Sequence, residues 1–255
     1  MANLPLSVSV NWKVLLLGLL VTASVLYYFS ASLFKSTPSS KPTMVSTGYL
    51  DIEGSKEAIF YRHVNPENAK MSLLFLHGQA FKSKTWQDIG TLDFLSKKGY
   101  RVMAIDLPSF GNSKMKLPVS MKERGELLDK LISLLELHYP VLVAPSMSGS
   151  FALPFIFSND NAKKLRGFIP IAPVHTDQYK PEQYKSLKLK TMIVYGQDDK
   201  QLGLQSLERL KNIPERLIKR IDGAGHACYM NNTAEFHSYL EEFLESLEKT
   251  SVGKL

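Results

Sequence analysis

The sequence predicts a doubly wound α/β domain on a mostly parallel sheet, and three observations carry that expectation. Short apolar runs at 71–76, 102–105, 141–144, 168–172 and 192–195 are near-continuous rather than alternating, as strands buried on both faces of a parallel sheet require. Segments with helical spacing of apolar residues lie between them, the pattern of strand–helix–strand crossovers. Small, polar and titratable residues follow the runs, where open α/β sheets hold their ligands.

In chain order, residues 14–34 come first and are unbroken by charge. As a helix at ~1.5 Å per residue they span roughly 30 Å, the thickness of a bilayer core. Tyr27 and Tyr28 near the far end suit the interfacial belt. The expectation is a tail and signal-anchor transmembrane helix over 1–35, single-pass and type II, so that the protein meets a membrane through 14–34. The alternative is a cleaved signal peptide, with Ser30 and Ser32 as the small residues before the cut, giving a secreted domain. Residues 36–47, with Pro38 and Pro42 among serines and threonines, have linker composition. The folded domain is placed at 48–248 and a short tail at 249–255.

Residues 49–62 read as two strands around Glu53-Gly54-Ser55, a hairpin at the sheet edge. Trp86, Ile89, Leu92 and Leu95 predict a helix over 86–98 that closes at Gly99, and Leu127, Leu128, Leu131, Leu134 and Leu135 predict one over 127–137. Two more are expected at 201–210 and 235–247, the last opened by Asn232 and Glu235 at capping-box spacing.

Composition narrows the function. The 255 residues are ample for a sizeable core. A single cysteine, Cys228, excludes internal disulfides and any multi-cysteine zinc site. The net charge of +7 comes from scattered lysines and arginines with no aromatic-interleaved stripe, which argues against a nucleic-acid partner. No His/Cys/acid cluster has metal-ligand spacing and no glycine-rich loop suits a nucleotide, so neither a metal nor an organic cofactor is expected. Oligomeric state is not legible.

The run 141–144 leads into Pro145-Ser146-Met147-Ser148-Gly149 and then an apolar, helix-like run at 151–157. Strand, small-x-Ser-x-small, helix is the shape of a nucleophile elbow, whose strained turn lifts a serine hydroxyl above the sheet. Ala144 and Ser148 stand where flanking glycines are usual. Ser148 has small residues on both sides too; the length of the strand favours Ser146. The other runs end in His77-Gly78-Gln79, in Asp106, in Pro173-Val174-His175 with Asp177, in Gly196-Gln197-Asp198-Asp199, and in Asp222-Gly223-Ala224-Gly225-His226.

Taken together these residues resemble the α/β-hydrolase fold, in which serine, acid and histidine follow one another in that order. The closest likeness is to the α/β-hydrolase domain-containing protein 14 family. Its marks are the Pro-Ser-Met-Ser-Gly elbow, Ala152-Leu153-Pro154-Phe155, the Ile193-Val194-Tyr195-Gly196 strand end, and Gly223-Ala224-Gly225-His226 followed by Cys228-Tyr229. The apolar N-terminal segment resembles the family's anchored branch rather than its soluble one.

The resemblance implies roles. Ser146 is the nucleophile and His226 its base. Asp199 orients the imidazole; it is selected over Asp198 by the family spacing from Gly196, with Asp177 a lower alternative. Backbone N–H groups of Met147 and Gln79 form the oxyanion hole, and loss of one such donor costs ~3 kcal/mol of barrier. His175 is placed as a substrate contact. His77 and Asp106 read as organisers of their loops, and His63, His138 and His237 as surface residues. Asn231, in Asn231-Asn232-Thr233, is a candidate glycosylation site.

The stretch between 172 and 191 has room for one short helix, around 178–188, instead of the large cap many hydrolases insert there. An open site is therefore expected, for a small acyl substrate or an acylated macromolecule. The family implies ester cleavage through an acyl-enzyme, acyl transfer and removal of acyl groups from amines. Hydrolysis needs no cofactor; transfer would need an acceptor such as coenzyme A. The rival expectation is a scaffold that keeps the fold and presents a weakly active or non-catalytic domain at a membrane.

Overall fold

The computed structural model describes residues 44–52 and 58–252, all within the unit Thr43–Leu255. The apolar segment 14–34 and the 53–55 turn lie outside the described residues. Among those described, no helix is long and apolar enough to cross a membrane.

Among the described residues, eight strands form one mixed sheet: β1 (Ser46–Leu50), β2 (Ile59–Val64), β3 (Ser72–Phe75), β4 (Arg101–Ile105), β5 (Val141–Pro145), β6 (Gly167–Ile171), β7 (Thr191–Gly196) and β8 (Arg216–Ile221). Their order is β1-β2-β4-β3-β5-β6-β7-β8. β1 and β2 pair antiparallel, as does β2 with β4; from β4 to β8 every pairing is parallel. This is the α/β-hydrolase architecture that the sequence predicts. β1 begins two residues ahead of the boundary read at 48, and the last helix runs past 248.

The helices are α1 (Ser83–Asp88), α2 (Thr91–Lys97), α3 (Met121–Leu134), α4 (Gly149–Ile156), α5 (Pro181–Lys185), α6 (Leu202–Leu210), α7 (Cys228–Asn231) and α8 (Thr233–Val252). They cover both faces. Leu142 and Ala144 of β5 pack with Leu127, Leu131, Phe151 and Phe155 of α3 and α4. Val141 and Val143, one step along the pleat, pack with Trp86, Leu92, Phe236 and Phe243 of α1, α2 and α8. Both sides of each central strand are thus apolar, which is why the runs do not alternate.

Two helices differ most from expectation. The helix predicted over 86–98 is two, because Gly90 takes φ +75° between them. That left-handed conformation is unstrained only for glycine and ends one helix while capping the next. α3 begins six residues earlier than the leucine pattern indicates: the Ser120 hydroxyl accepts the Glu123 N–H and the Glu123 carboxylate accepts the Ser120 N–H. This reciprocal cap satisfies helix-end donors that would otherwise lack partners. At α8, Asn232 Oδ1 accepts the Glu235 N–H, while the Glu235 carboxylate takes the Asn232 side-chain amide.

Candidate active site

Three of the parallel strands deliver the site from their carboxyl ends. After β5, Ser146 adopts φ +50°, a conformation that costs a residue with a Cβ about 1–3 kcal/mol. A 3₁₀ turn over Ser146–Ser148 then leads into α4. What makes the turn persist is crowding. Ala144 and Ser148 are fully buried, and the Ser148 hydroxyl donates to the Pro145 carbonyl at 2.7 Å. That bond spends Ser148 on the turn and leaves Ser146 as the serine presented outward.

Gly149 is the glycine the elbow cannot do without. A Cβ there would lie 2.6 Å from the Val174 carbonyl oxygen and 2.8 Å from Pro173 Cβ. The Val174 N–H also donates to the Ser146 carbonyl at 3.0 Å, so the loop after β6 is held directly against the elbow. Gly78 closes the other side, where a Cβ would stand 3.5 Å from Ser146 Cβ.

His226 lies in the loop after β8. Its Nε2 is 2.8 Å from Ser146 Oγ, and its Nδ1 is 2.5 Å from Asp199 Oδ2. An ionised carboxylate only accepts hydrogen bonds, so the proton sits on Nδ1 and Nε2 is free to accept from the serine hydroxyl. The Asp199 side chain is 7% exposed and that of His226 42%. The acid is thus sealed under the imidazole while the imidazole faces solvent. Asp198 instead turns outward, 59% exposed with Lys200 at 3.9 Å. The adjacent aspartates are told apart by burial, and the buried one is Asp199, the residue that the family spacing selects.

The remaining residues fall as follows. Met147 lies in the first turn after β5, where backbone N–H groups have no acceptor within the helix. Gln79 follows Gly78, the residue beside Ser146. His77 is buried; its Nε2 accepts the Leu107 N–H at 2.9 Å, so its Nδ1 donates to the Gly78 carbonyl at 2.8 Å. Burial lowers its proton affinity, which keeps it neutral as a strut between the Gly78 and Leu107 loops. Asp106 spans its own surroundings, accepting the Ser83 N–H at 2.7 Å and the Asn112 N–H at 2.8 Å.

His175 and Asp177 are exposed and border a cleft of about 670 Å³ beside α6, with Gln205, Glu208 and Arg209; its lining includes neither Ser146 nor His226. Asn231 ends α7 and is exposed. His138 is at the surface as expected, but His63 and His237 are half-buried. His237 stacks on Phe94 at 4.4 Å, and its Nε2 is 3.0 Å from Thr91 Oγ1. It lies on the inner side of α8, where helical phase rather than polarity decides burial. Cys228 offers no rival nucleophile, since burial pushes its thiol up to about 12. Among the described residues no cluster of His, Cys, Asp and Glu could hold a metal ion.

One site-forming contact had no reading in the sequence. The fully buried Trp86 donates from Nε1 to the Leu76 carbonyl at 2.8 Å and stacks on Tyr229 at 4.6 Å. It thereby ties the strand end before His77 to the helix after His226.

Sequence and fold have counterparts among known proteins. No family model matches the chain. Mouse Protein ABHD14A is 45% identical over 192 residues, 74% of this chain and 77% of that protein. The human protein named Putative protein-lysine deacylase ABHD14B is 39% identical over 206 residues, 79% of this chain and 96% of its own length. Among solved structures, a CIB-like hydrolase from Thermoplasma acidophilum superposes with a TM-score of 0.72 at 23% identity, covering 80% of this chain and 99% of that one.

Proposed function

Because the chain belongs to the ABHD14 family, we propose that it is a serine hydrolase acting on acyl esters or other acyl groups through an acyl-enzyme. The observation that carries this reading is the unbroken chain from Ser146 Oγ to His226 to the buried Asp199. A serine hydroxyl alone is a poor nucleophile and needs a base at this distance.

In the proposed cycle, Ser146 Oγ bonds to the acyl carbon as its proton passes to His226 Nε2. The oxyanion is met by the N–H groups of Met147 and Gln79, and Asp199 stabilises the imidazolium. Collapse breaks the bond to the leaving oxygen or nitrogen, which takes the proton from His226. Water, deprotonated by the same imidazole, then attacks the acyl-serine and releases the acid, and the proton returns to Ser146. No electrons are gained or lost and no cofactor is consumed.

The loop between β6 and β7 carries only a 3₁₀ turn (Thr176–Gln178) and the five-residue α5, and His226 faces solvent. An open approach of this kind suits short acyl groups, including those on a macromolecule. The deacylase name of ABHD14B favours acylated lysine as one such class. A single-pass anchor at 14–34 is part of the same reading, placing the hydrolase at a membrane.

The test is turnover of short acyl esters and an acyl-lysine peptide by the full chain, with intact mass spectrometry to catch the acyl-enzyme. The proposal expects the acyl mass on Ser146 and at least a ~10³-fold rate loss in Ser146→Ala. Equal turnover by the variant would overturn it, and a folded chain that forms no acyl-enzyme would favour a scaffold.

A further inference from the structure

We propose that Gln197 and Asn231 are positioning residues that hold the His226 loop for proton transfer, each through one side-chain carbonyl oxygen. The inference rests on the serine-hydrolase reading above and concerns how its base is kept in place.

His226 is reached from β8 through Asp222-Gly223-Ala224-Gly225. Gly223 has φ +63°, and two glycines in four residues leave the backbone little intrinsic preference. The 42% exposed imidazole is not gripped by packing on all sides. Its position relative to Ser146 is therefore set by the loop backbone and by Asp199.

Two side chains hold that backbone from opposite ends. Gln197 Oε1 accepts the Gly223 N–H at 2.8 Å, and Asn231 Oδ1 accepts the Gly225 N–H at 3.0 Å. Gln197 stands two residues before Asp199, in the loop that carries the acid. Main-chain bonds join the same two loops: the Gln197 N–H donates to the Ile221 carbonyl at 2.9 Å and the Asp198 N–H to the Ala224 carbonyl at 2.8 Å. Gln197 thus couples the acid loop to the base loop, while Asn231 reaches back from α7 to the residue directly before His226.

Both side-chain bonds are solvent-exposed. Such bonds add little to global stability, because water replaces them when they break. Their consequence is in geometry: a displacement of about 1 Å between reacting groups can cost ~10²-fold in rate. The prediction that separates positioning from a structural role is a rate loss without a matching stability loss.

The experiment compares Gln197→Met and Asn231→Leu, which remove the acceptor oxygen, with Gln197→Glu and Asn231→Asp, which keep one. Rates of fluorophosphonate labelling, kcat and KM for a short acyl ester, and melting midpoints are measured on the full chain. Positioning predicts that Gln197→Met and Asn231→Leu, singly, each lower kcat and labelling rate about tenfold or more. KM and melting midpoint stay close to the parent, and the oxygen-retaining variants recover most of the rate. Rates like the parent's in Gln197→Met and Asn231→Leu would overturn the proposal, as would losses that follow the melting midpoint or are equal in Gln197→Glu and Asn231→Asp. A parent that neither labels nor turns over would instead overturn the hydrolase reading itself, and this inference with it.

Discussion

His226 Nε2 lies 2.8 Å from Ser146 Oγ although 80 positions separate them in the chain. The contact exists because β5 and β8 run parallel with β6 and β7 between them, so that the loops at their carboxyl ends project from the same edge. β7 sends Asp199 from that edge as well, and its carboxylate meets the far nitrogen of the imidazole. Sheet topology, more than any local motif, assembles the site.

Gly149→Ala should distort the elbow. The added methyl would meet the Val174 carbonyl and Pro173 Cβ well inside contact distance, and neither neighbour is the tip of a flexible side chain. A destabilisation of about 1–3 kcal/mol is expected, with a larger loss of labelling than the stability change explains. Urea denaturation and fluorophosphonate labelling on one preparation check both; a variant unchanged in each would show that the loop after β6 yields freely.

Trp86→Phe keeps an aromatic ring against Tyr229 but removes the donor to the Leu76 carbonyl. The buried carbonyl then lacks its partner, for a loss of about 1–3 kcal/mol. Thermal unfolding of the two proteins measures it. An unchanged midpoint would mean that the Leu76 carbonyl finds another donor.

Stability should fall on mild acidification. Burial lowers the proton affinity of His63, His77 and His237, with Arg101 adding to the effect at His63. The unfolded chain takes up protons near pH ~6.5, where these folded imidazoles stay neutral. The stability they contribute is present above that pH and is lost as pH falls toward the lowered folded values. Urea midpoints at pH 7.5 and 5.5 should therefore differ, with the higher at 7.5. The difference should shrink in His237→Phe, a position away from the site. An undiminished difference would remove His237 from the account.

Much of this was legible in the sequence, and the exceptions have identifiable causes. Central strands are legible because both faces are buried, and Ser146 and Asp199 each follow one of them, whereas His226 follows the edge strand β8, whose residues are mostly exposed. Asp198 and Asp199 differ in burial, not type, so adjacency in sequence could not separate them without the family's spacing. The break at Gly90 was hidden by apolar spacing that continues across it. The early start of α3 was written in Ser120 and Glu123, three positions apart just before the helix. Polarity alone points His237 to the surface, whereas its place on α8 puts it against Phe94. The roles of Trp86, Gln197 and Asn231 depend on bonds to backbone atoms in loops and strand ends, 6 to 26 positions away, which apolar periodicity and motif spacing do not encode.

Fluorophosphonate labelling of the folded parent beside Ser146→Ala and Ser148→Ala tests most directly whether Ser146 is the nucleophile. Ser146 holds the hydrogen bond to His226, while the Ser148 hydroxyl is buried on the Pro145 carbonyl. Labelling of the parent and of Ser148→Ala is expected, and none of Ser146→Ala. Labelling that survives in Ser146→Ala but disappears in Ser148→Ala would contradict it.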